Sequence, residues 1–429
     1  MLTLLLLKEY FVEKKILWVS PYSLHDTSSG AAIQCRTMLE CLAKEGIKVM
    51  VLGSFCFDSP RGTTFFPKLE EELKTRGTQP VMLNDKENNI AYHYTVCANR
   101  AMSVFTHDEA WRFYTYYCAL LNSFRPDIVI GYGMGTCGIA VQAEAKRRGI
   151  PFVYPICNGN HPHYDFNDCA LLITESKATA QLYATRDRMN VIPCGIFIRP
   201  EKYIAQKRDP KYITLVNPDP TKGISIFAKL AQKAHESGLL QQHNLRFLVV
   251  QSRGTFEQSL LKLHLPDSKE CPYKPEMFPF VALASHTGDM ASIYAVTRVL
   301  LAPSLWYESW GRVATEAALN GIPCVVSTSG GLQEAMGGVG IAVQAPQECH
   351  KDHCRIPTDA EIAPWLDALA KVLARDWSEE SKKARETFSL ANSTRRVLDA
   401  FAPLFALRAG SSPHIIRSGN LRMKVDGSF

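Results

Sequence analysis

Apolar residues fall along this chain in two alternating arrangements, short continuous runs and longer stretches in which they return every three or four positions. Residues 16–20 (ILWVS) form a strand candidate, residues 25–30 (HDTSSG) a polar loop, and residues 31–44 carry apolar side chains at helical spacing. Gly46 closes that helix, and residues 48–53 read as the next strand. Strand, helix and strand in that order need a crossover connection and make a parallel unit. The same order recurs at 127–132, 137–148 and 152–156, and again at 170–174, 177–183 and 190–193. Between 53 and 125 the pattern is irregular. A polar stretch at 83–89 (LNDKENN) and an aromatic-rich helix candidate at 110–124 lie there, and the region is assigned to variation of an acceptor pocket.

Residues 199–211 (RPEKYIAQKRDPK) are charged and poor in apolar side chains, which marks a linker. After it the grammar restarts, with strands at 212–216, 245–251, 299–302 and 324–327 and helices at 224–237, 311–319 and 332–336. A further helical region at 359–408 carries the stripe Ile362, Trp365, Leu366, Leu369 and Val372. Strands without polar alternation are buried on both faces, as in parallel sheets. The predicted class is therefore α/β, two tandem Rossmann-like domains whose parallel sheets face a cleft. The expected division is an acceptor-side domain at 1–198, the linker, a nucleotide-sugar-binding domain at 212–395, and a helix and loose tail at 396–429 that can pack back on the first domain.

Length agrees, since a single core stops growing at about 250 to 300 residues and the chain has 429. With 46% hydrophobic and 21% charged residues, disordered and coiled-coil classes are excluded. The apolar run at 4–7 is far short of the ~20 residues of a membrane span, and Lys8, Glu9, Lys14 and Lys15 break any signal-peptide pattern; residues 1–14 read as an amphipathic lead-in. The net charge of +6 has no basic block behind it, which argues against a nucleic-acid partner. It leaves anionic small ligands and peripheral contact with an anionic membrane face open. Thirteen scattered cysteines fit reduced thiols and a cytoplasmic location.

The sharpest local feature is residues 303–321 (PSLWYESWGRVATEAALNG), between two strand candidates. Ligands of open α/β sheets bind outside the carboxyl ends of the strands, where this loop and helix start fall. The backbone N–H groups at 311–314 lack helical partners and can accept a phosphate, and the carboxylates of Glu308 and Glu316 suit hydroxyl-rich ligands. A retaining glycosidase would need the two carboxyls about 5 to 5.5 Å apart, whereas eight helical positions separate them by ~12 Å.

Pro303, Ser304, Glu308, Gly311, Glu316, Ala317, Asn320, Gly321 and Pro323, with Gly330, Gly331 and Glu334, resemble the E-x7-E region of family-4 retaining glycosyltransferases, which have the GT-B fold. The resemblance continues at Gly30, at Lys222 and Gly223, and at His286, Met290, Tyr294 and Arg298. It implies transfer of a sugar from a UDP- or GDP-sugar, with retention at the anomeric carbon, to an acceptor left open among glycans, lipid-linked sugars and small molecules. It implies that Glu316 holds the ribose, and that Glu308 with Ser309, Trp310 and Gly311 holds the hexose. The backbone at Arg312 and Val313 would face the diphosphate with Lys222, and Gly30 would let the opposite loop approach. No Asp-x-Asp occurs in the chain, so the expectation is no metal and no cofactor, with protein cations neutralising the diphosphate.

Two positions depart from the family. Asn217 stands where members carry an arginine, and an amide is no cation; Arg253, in the loop QSRG, is the candidate replacement. Cys157 stands where many members have a histidine, with His161 and His163 close behind; Glu308, Lys222 and His161 are taken as the catalytic candidates. Rival readings are a nucleotide-sugar epimerase or phosphorylase, and a catalytically silent subunit of the same fold. Gly133, Gly135 and Gly138 spell G-x-G-x-x-G, but the acidic residue expected on the next strand is missing, so a tight turn is preferred over NAD binding. Residues 349–354 (CHKDHC) do not have a standard zinc spacing and read as a surface loop.

Overall fold

Ile16, Leu17, Trp18 and Val19 are all buried, as an unbroken apolar run requires, and they form β1 (Lys15–Val19) inside a sheet covered on both faces. The computed structural model describes residues 13–98, 105–133, 135–161, 166–252 and 254–409. The first sheet continues with β2 (Lys48–Ser54), β3 (Val81–Asp85), β4 (Ile90–Thr95), β5 (Ile128–Ile130), β6 (Phe152–Ile156), β7 (Leu171–Thr174) and β8 (Val191–Pro193), in the order β3-β4-β2-β1-β5-β6-β7-β8. The second contains β9 (Tyr212–Val216), β10 (Arg246–Val250), β11 (Val281–Ala284), β12 (Thr297–Ala302), β13 (Cys324–Ser327) and β14 (Gly340–Val343), in the order β11-β10-β9-β12-β13-β14. All pairings are parallel except β3 with β4. The chain is thus two Rossmann-like units in tandem, as the apolar pattern predicts.

The antiparallel pair lies in the segment that looked irregular. Residues 83–85 end β3 and residues 86–89 turn the hairpin, in which the Asp85 carboxylate accepts from the Glu87 and Asn88 backbone N–H groups and from the Asn88 amide. The polar residues shape the turn, while the alternation of Ile90, Tyr92 and Tyr94 into the core carries the strand.

The last described helix, Leu390–Ala409, crosses back to the first sheet. Val397, Ala400, Phe401 and Leu404 share a core with Ile16, Trp18 and Leu39, and the Ser393 hydroxyl and Arg396 guanidinium donate to the carbonyls of Ile196 and Cys194. Burying each large side chain contributes about 1.5 to 3 kcal/mol, so residues 397–404 are fastened to β1 of the first sheet, while the expected tail at 410–429 lies outside the described residues. The charged segment 199–211 is pinned rather than free. Arg208 donates to the Asn320 and Thr297 carbonyls at 2.9 and 2.6 Å, and Asn320 holds the backbone of Ala205 and Tyr203.

The two units meet beside the cleft. The Glu334 carboxylate accepts from the backbone N–H groups of Lys177 and Ala178 at 2.9 and 2.7 Å, so a side chain of the second unit caps a helix of the first, Lys177–Asp187. The Ser309 hydroxyl donates to the Cys157 carbonyl at 2.9 Å, and Thr179 donates to the Ser309 carbonyl at 3.2 Å. Residues 347–351 are a short helix with Cys349 buried, while His350, Lys351 and Asp352 are exposed, so residues 349–354 lie at the surface as expected but begin in a helix rather than a loop. Among the described residues no cluster of three or more His, Cys, Asp or Glu could hold a metal ion, and no helix is long and apolar enough to cross a membrane.

Candidate functional site

A cavity of about 940 Å³ separates the two sheets at the carboxyl ends of their strands. The first unit contributes the loops after β1, β2, β5, β6 and β7, including Gly30, Asp58, Gly133, Cys157, His161 and Glu175; the second contributes Asn217, Lys222 and the loop from Trp306 to Val313. This is where an open α/β sheet binds its ligands.

Lys222 stands at the end of a short turn, Pro220–Lys222, closed by the Asp219 carboxylate, which accepts from the Thr221 N–H and hydroxyl at 2.9 and 2.6 Å. Gly223 follows with φ +82°, and a Cβ there would lie 1.9 Å from the Pro303 carbonyl oxygen. Only glycine therefore lets this turn press against the loop that carries Glu308. The Lys222 Nζ and Glu308 Oε1 are 2.6 Å apart, and the Ser304 hydroxyl donates to the same carboxylate oxygen at 2.8 Å. The Glu308 backbone is held from the other side, where its carbonyl accepts from the Gly331 N–H at 2.8 Å.

The helix Arg312–Leu319 begins at Gly311 beside the cavity. Its Ala314 N–H is already bonded to the Gly311 carbonyl at 3.0 Å, so the expected row of free N–H groups at 311–314 stops before Ala314. Trp310 is buried, and its indole N–H donates to Thr315. Glu316 is not in the cavity wall. It lies buried behind it, accepting from the Tyr294 hydroxyl at 2.8 Å with Arg312 3.5 Å away. Burial pushes its carboxyl above the usual range, and Arg312 and Tyr294 pull it back. Arg312 also reaches the first unit, donating to the Phe197 carbonyl at 3.3 Å, and its side chain passes close to Gly30.

Asn217 adopts φ +65°, a left-handed conformation that asparagine tolerates better than arginine. Its buried Oδ1 has no hydrogen-bond partner, so an acceptor atom stands at the cavity where the family pattern has a cation. Arg253 and His163 lie outside the described residues. His161 lines the cavity against the rings of Tyr154 and Phe166, and burial followed by Arg186 lowers its pKa. Gly138 packs so tightly on the Gly133 carbonyl that a Cβ would lie 2.1 Å from it, which accounts for the glycine motif as a strand-to-helix turn.

Glu175 escaped the sequence reading. It sits directly after β7, hydrogen-bonded to the Thr174 hydroxyl at 3.3 Å, and burial raises its pKa against the pull of Cys157, Thr174 and Arg312. The Cys157 thiol is pushed up in turn by its hydrogen bond with Cys35, by burial and by the Glu175 carboxyl. The signal that could have found Glu175 is its place at the carboxyl end of a parallel strand.

Residues 212–356 match the family model of glycosyl transferases group 1. No curated protein matches the chain. Among solved structures, sucrose-phosphate synthase from Thermosynechococcus elongatus is similar at 15% identity over 92% of this chain and 100% of that one, with TM-score 0.62. A glycosyltransferase from Rickettsia africae is similar at 11% identity over 92% and 99%, with TM-score 0.61. Anabaena HepE, solved in complex with UDP and glucose, is similar at 13% identity over 91% and 99%, with TM-score 0.59. The fold is GT-B, shared with these structures.

Proposed function

We propose that the protein is a retaining glycosyltransferase that moves a sugar from a UDP- or GDP-sugar to a hydroxyl acceptor without a metal ion. The observation that carries the reading is the Lys222–Glu308 contact at 2.6 Å inside the cavity between the sheets, in a segment matching the group 1 family model. Similar structures hold UDP, which supports a nucleotide-sugar donor here. The domain division at the linker 199–211 belongs to the same reading, with the acceptor on the first unit and the donor on the second. A cytoplasmic location, read from thirteen cysteines scattered singly along the chain, belongs to the same reading.

In this reading the leaving diphosphate gathers charge beside Lys222 and the N–H groups of Arg312 and Val313, where fixed cations and dipoles lower the barrier. The acceptor hydroxyl attacks the anomeric carbon from the face the diphosphate leaves. Its proton passes to a departing phosphate oxygen, so the C–O bond to diphosphate breaks as the new glycosidic C–O bond forms. Glu308 releases Lys222 and takes hexose hydroxyls, while Ser309, Trp310 and Gly311 complete that wall. Glu316, buried behind the wall, reaches the ribose hydroxyls when Arg312, which lines the cavity, turns away from it. Gly30 and His161 approach from the first unit, and the orphaned Asn217 amide accepts from the donor. The lost cation at Asn217 favours a second reading, a silent subunit that binds nucleotide and transfers nothing.

The test is turnover of UDP- and GDP-sugars in EDTA with a panel of hydroxyl acceptors, the product's anomeric configuration being read by NMR. Transfer with retention is expected. Transfer with inversion, or transfer only with added divalent metal, overturns the mechanism, and nucleotide binding without transfer favours the silent reading.

A further inference from the structure

The two walls of the cavity differ in charge. On the second unit's wall stand Lys222 and Arg312. On the first unit's wall the described lining residues include no lysine or arginine, but do include the carboxyls of Asp58 and Glu175 and the phenols of Tyr22, Tyr132 and Tyr154. His161 adds no charge at neutral pH, because burial lowers its pKa. Arg61, three residues beyond Asp58, is not in the wall; its guanidinium donates across the cleft to the Ser252 carbonyl.

Asp58 is set in place by a buried carboxylate. Asp26 accepts from the Asp58 N–H at 2.6 Å through one oxygen, and from the Ser28 N–H and hydroxyl at 2.7 and 2.6 Å through the other. This bridge ties the loop after β1 to the loop after β2 and brings Ser28, Ser29 and Asp58 to one wall. Tyr22 and Tyr132 lie beside them with ring centroids 6.2 Å apart. Burial first, and then the Cys56 thiol and the Asp58 carboxylate, raise the Tyr22 pKa, so this phenol stays protonated and can donate.

A carboxylate accepts from hydroxyl and ammonium groups and offers nothing to a phosphate, and aromatic faces suit the apolar C–H face of a sugar ring. A phosphorylated acceptor would bring a dianion to a wall whose charged group is an acid, with no cation to replace its water. On the basis of the glycosyltransferase reading, we propose that the acceptor is an uncharged sugar or polyol, held through its hydroxyls by Asp58 against the Tyr22 and Tyr132 rings, and that sugar phosphates are excluded.

The experiment uses the full chain and matched probes, glucose with glucose 6-phosphate and fructose with fructose 6-phosphate, titrated with and without saturating UDP. The neutral member of each pair should bind at least tenfold more tightly. Asp58→Asn should weaken neutral-sugar binding at least tenfold while the UDP Kd stays within twofold, and Asp58→Lys should narrow or reverse the preference. Tighter binding of the phosphorylated members, no binding of either neutral sugar, or an unchanged Asp58→Asn variant overturns the proposal. The UDP titration separates the two ideas. Absence of UDP binding counts against the donor reading alone, since the sugar pairs are also compared without nucleotide.

Discussion

Lys222 and Glu308 are joined by a 2.6 Å ion pair although they lie on different loops of the second sheet, one after β9 and the other after β12. The Ser304 hydroxyl completes the arrangement on the same carboxylate oxygen. The contact holds an ammonium and a carboxylate ready at the cavity wall, each partly exposed, so a ligand with phosphate at one end and hydroxyls at the other can separate them at small cost. Lys222→Ala should therefore leave the fold intact and lower kcat by about 10²- to 10³-fold, the loss expected when one group stabilising transition-state charge is removed. Steady-state turnover together with circular dichroism checks this.

Gly330 has φ +59°, and an added Cβ would lie 2.0 Å from the Glu308 carbonyl oxygen. The oxygen is backbone and the Cβ is fixed in direction by the Cα it stands on, so neither can swing aside. Gly330→Ala should push the Glu308 loop out of register and cost about 1 to 3 kcal/mol of stability, and the donor KM should rise in protein that is still folded at the assay temperature. An unchanged KM in a folded Gly330→Ala protein would show that the loop tolerates the shift.

Glu334 caps a helix of the opposite unit through two N–H groups. Replacing a capping side chain by alanine costs about 0.5 to 2 kcal/mol, and here the loss falls on the junction between units. Glu334→Ala should increase the radius of gyration in small-angle scattering without changing the helical content. A variant as compact as the wild type would limit the cap to local stability.

Glu175 gives a pH signature. Its folded pKa is raised by burial above the unfolded value of about 4.3, so its contribution to stability is fully present below that unfolded value and is lost as pH rises through the folded one. Glutamine does not titrate. The melting temperature of Glu175→Gln minus that of the wild type should be more positive at pH 8 than at pH 4, as measured by thermal scans in matched ionic strength.

Much of this was legible because period and punctuation are local properties. The runs at 16–20, 212–216 and 299–302 are buried strands, and Gly46 ends its helix as its position suggested. The hairpin of β3 and β4 was missed because Asp85, Asn88 and Asn89 are turn residues whose effect depends on the strands they join. The site was legible as a set of loops, since the strand-end rule needs only the order of elements. It was not legible that Glu316 turns to Tyr294 behind the wall, that Asn217 takes a left-handed backbone, or that Glu334 reaches the first unit. Those facts depend on side-chain direction and on how the two sheets meet, which no spacing along the chain encodes.

In the proposed function this cavity holds a nucleoside diphosphate with Lys222 as its counter-charge. Thermal titration of the wild type and of Lys222→Ala with UDP and GDP in EDTA tests it most directly, because a ligand that binds the native state raises its melting temperature. The wild type should show a concentration-dependent rise with at least one of the two nucleotides, and Lys222→Ala a much smaller one. A wild type unmoved by both nucleotides, or a variant stabilised as strongly as the wild type, would contradict it.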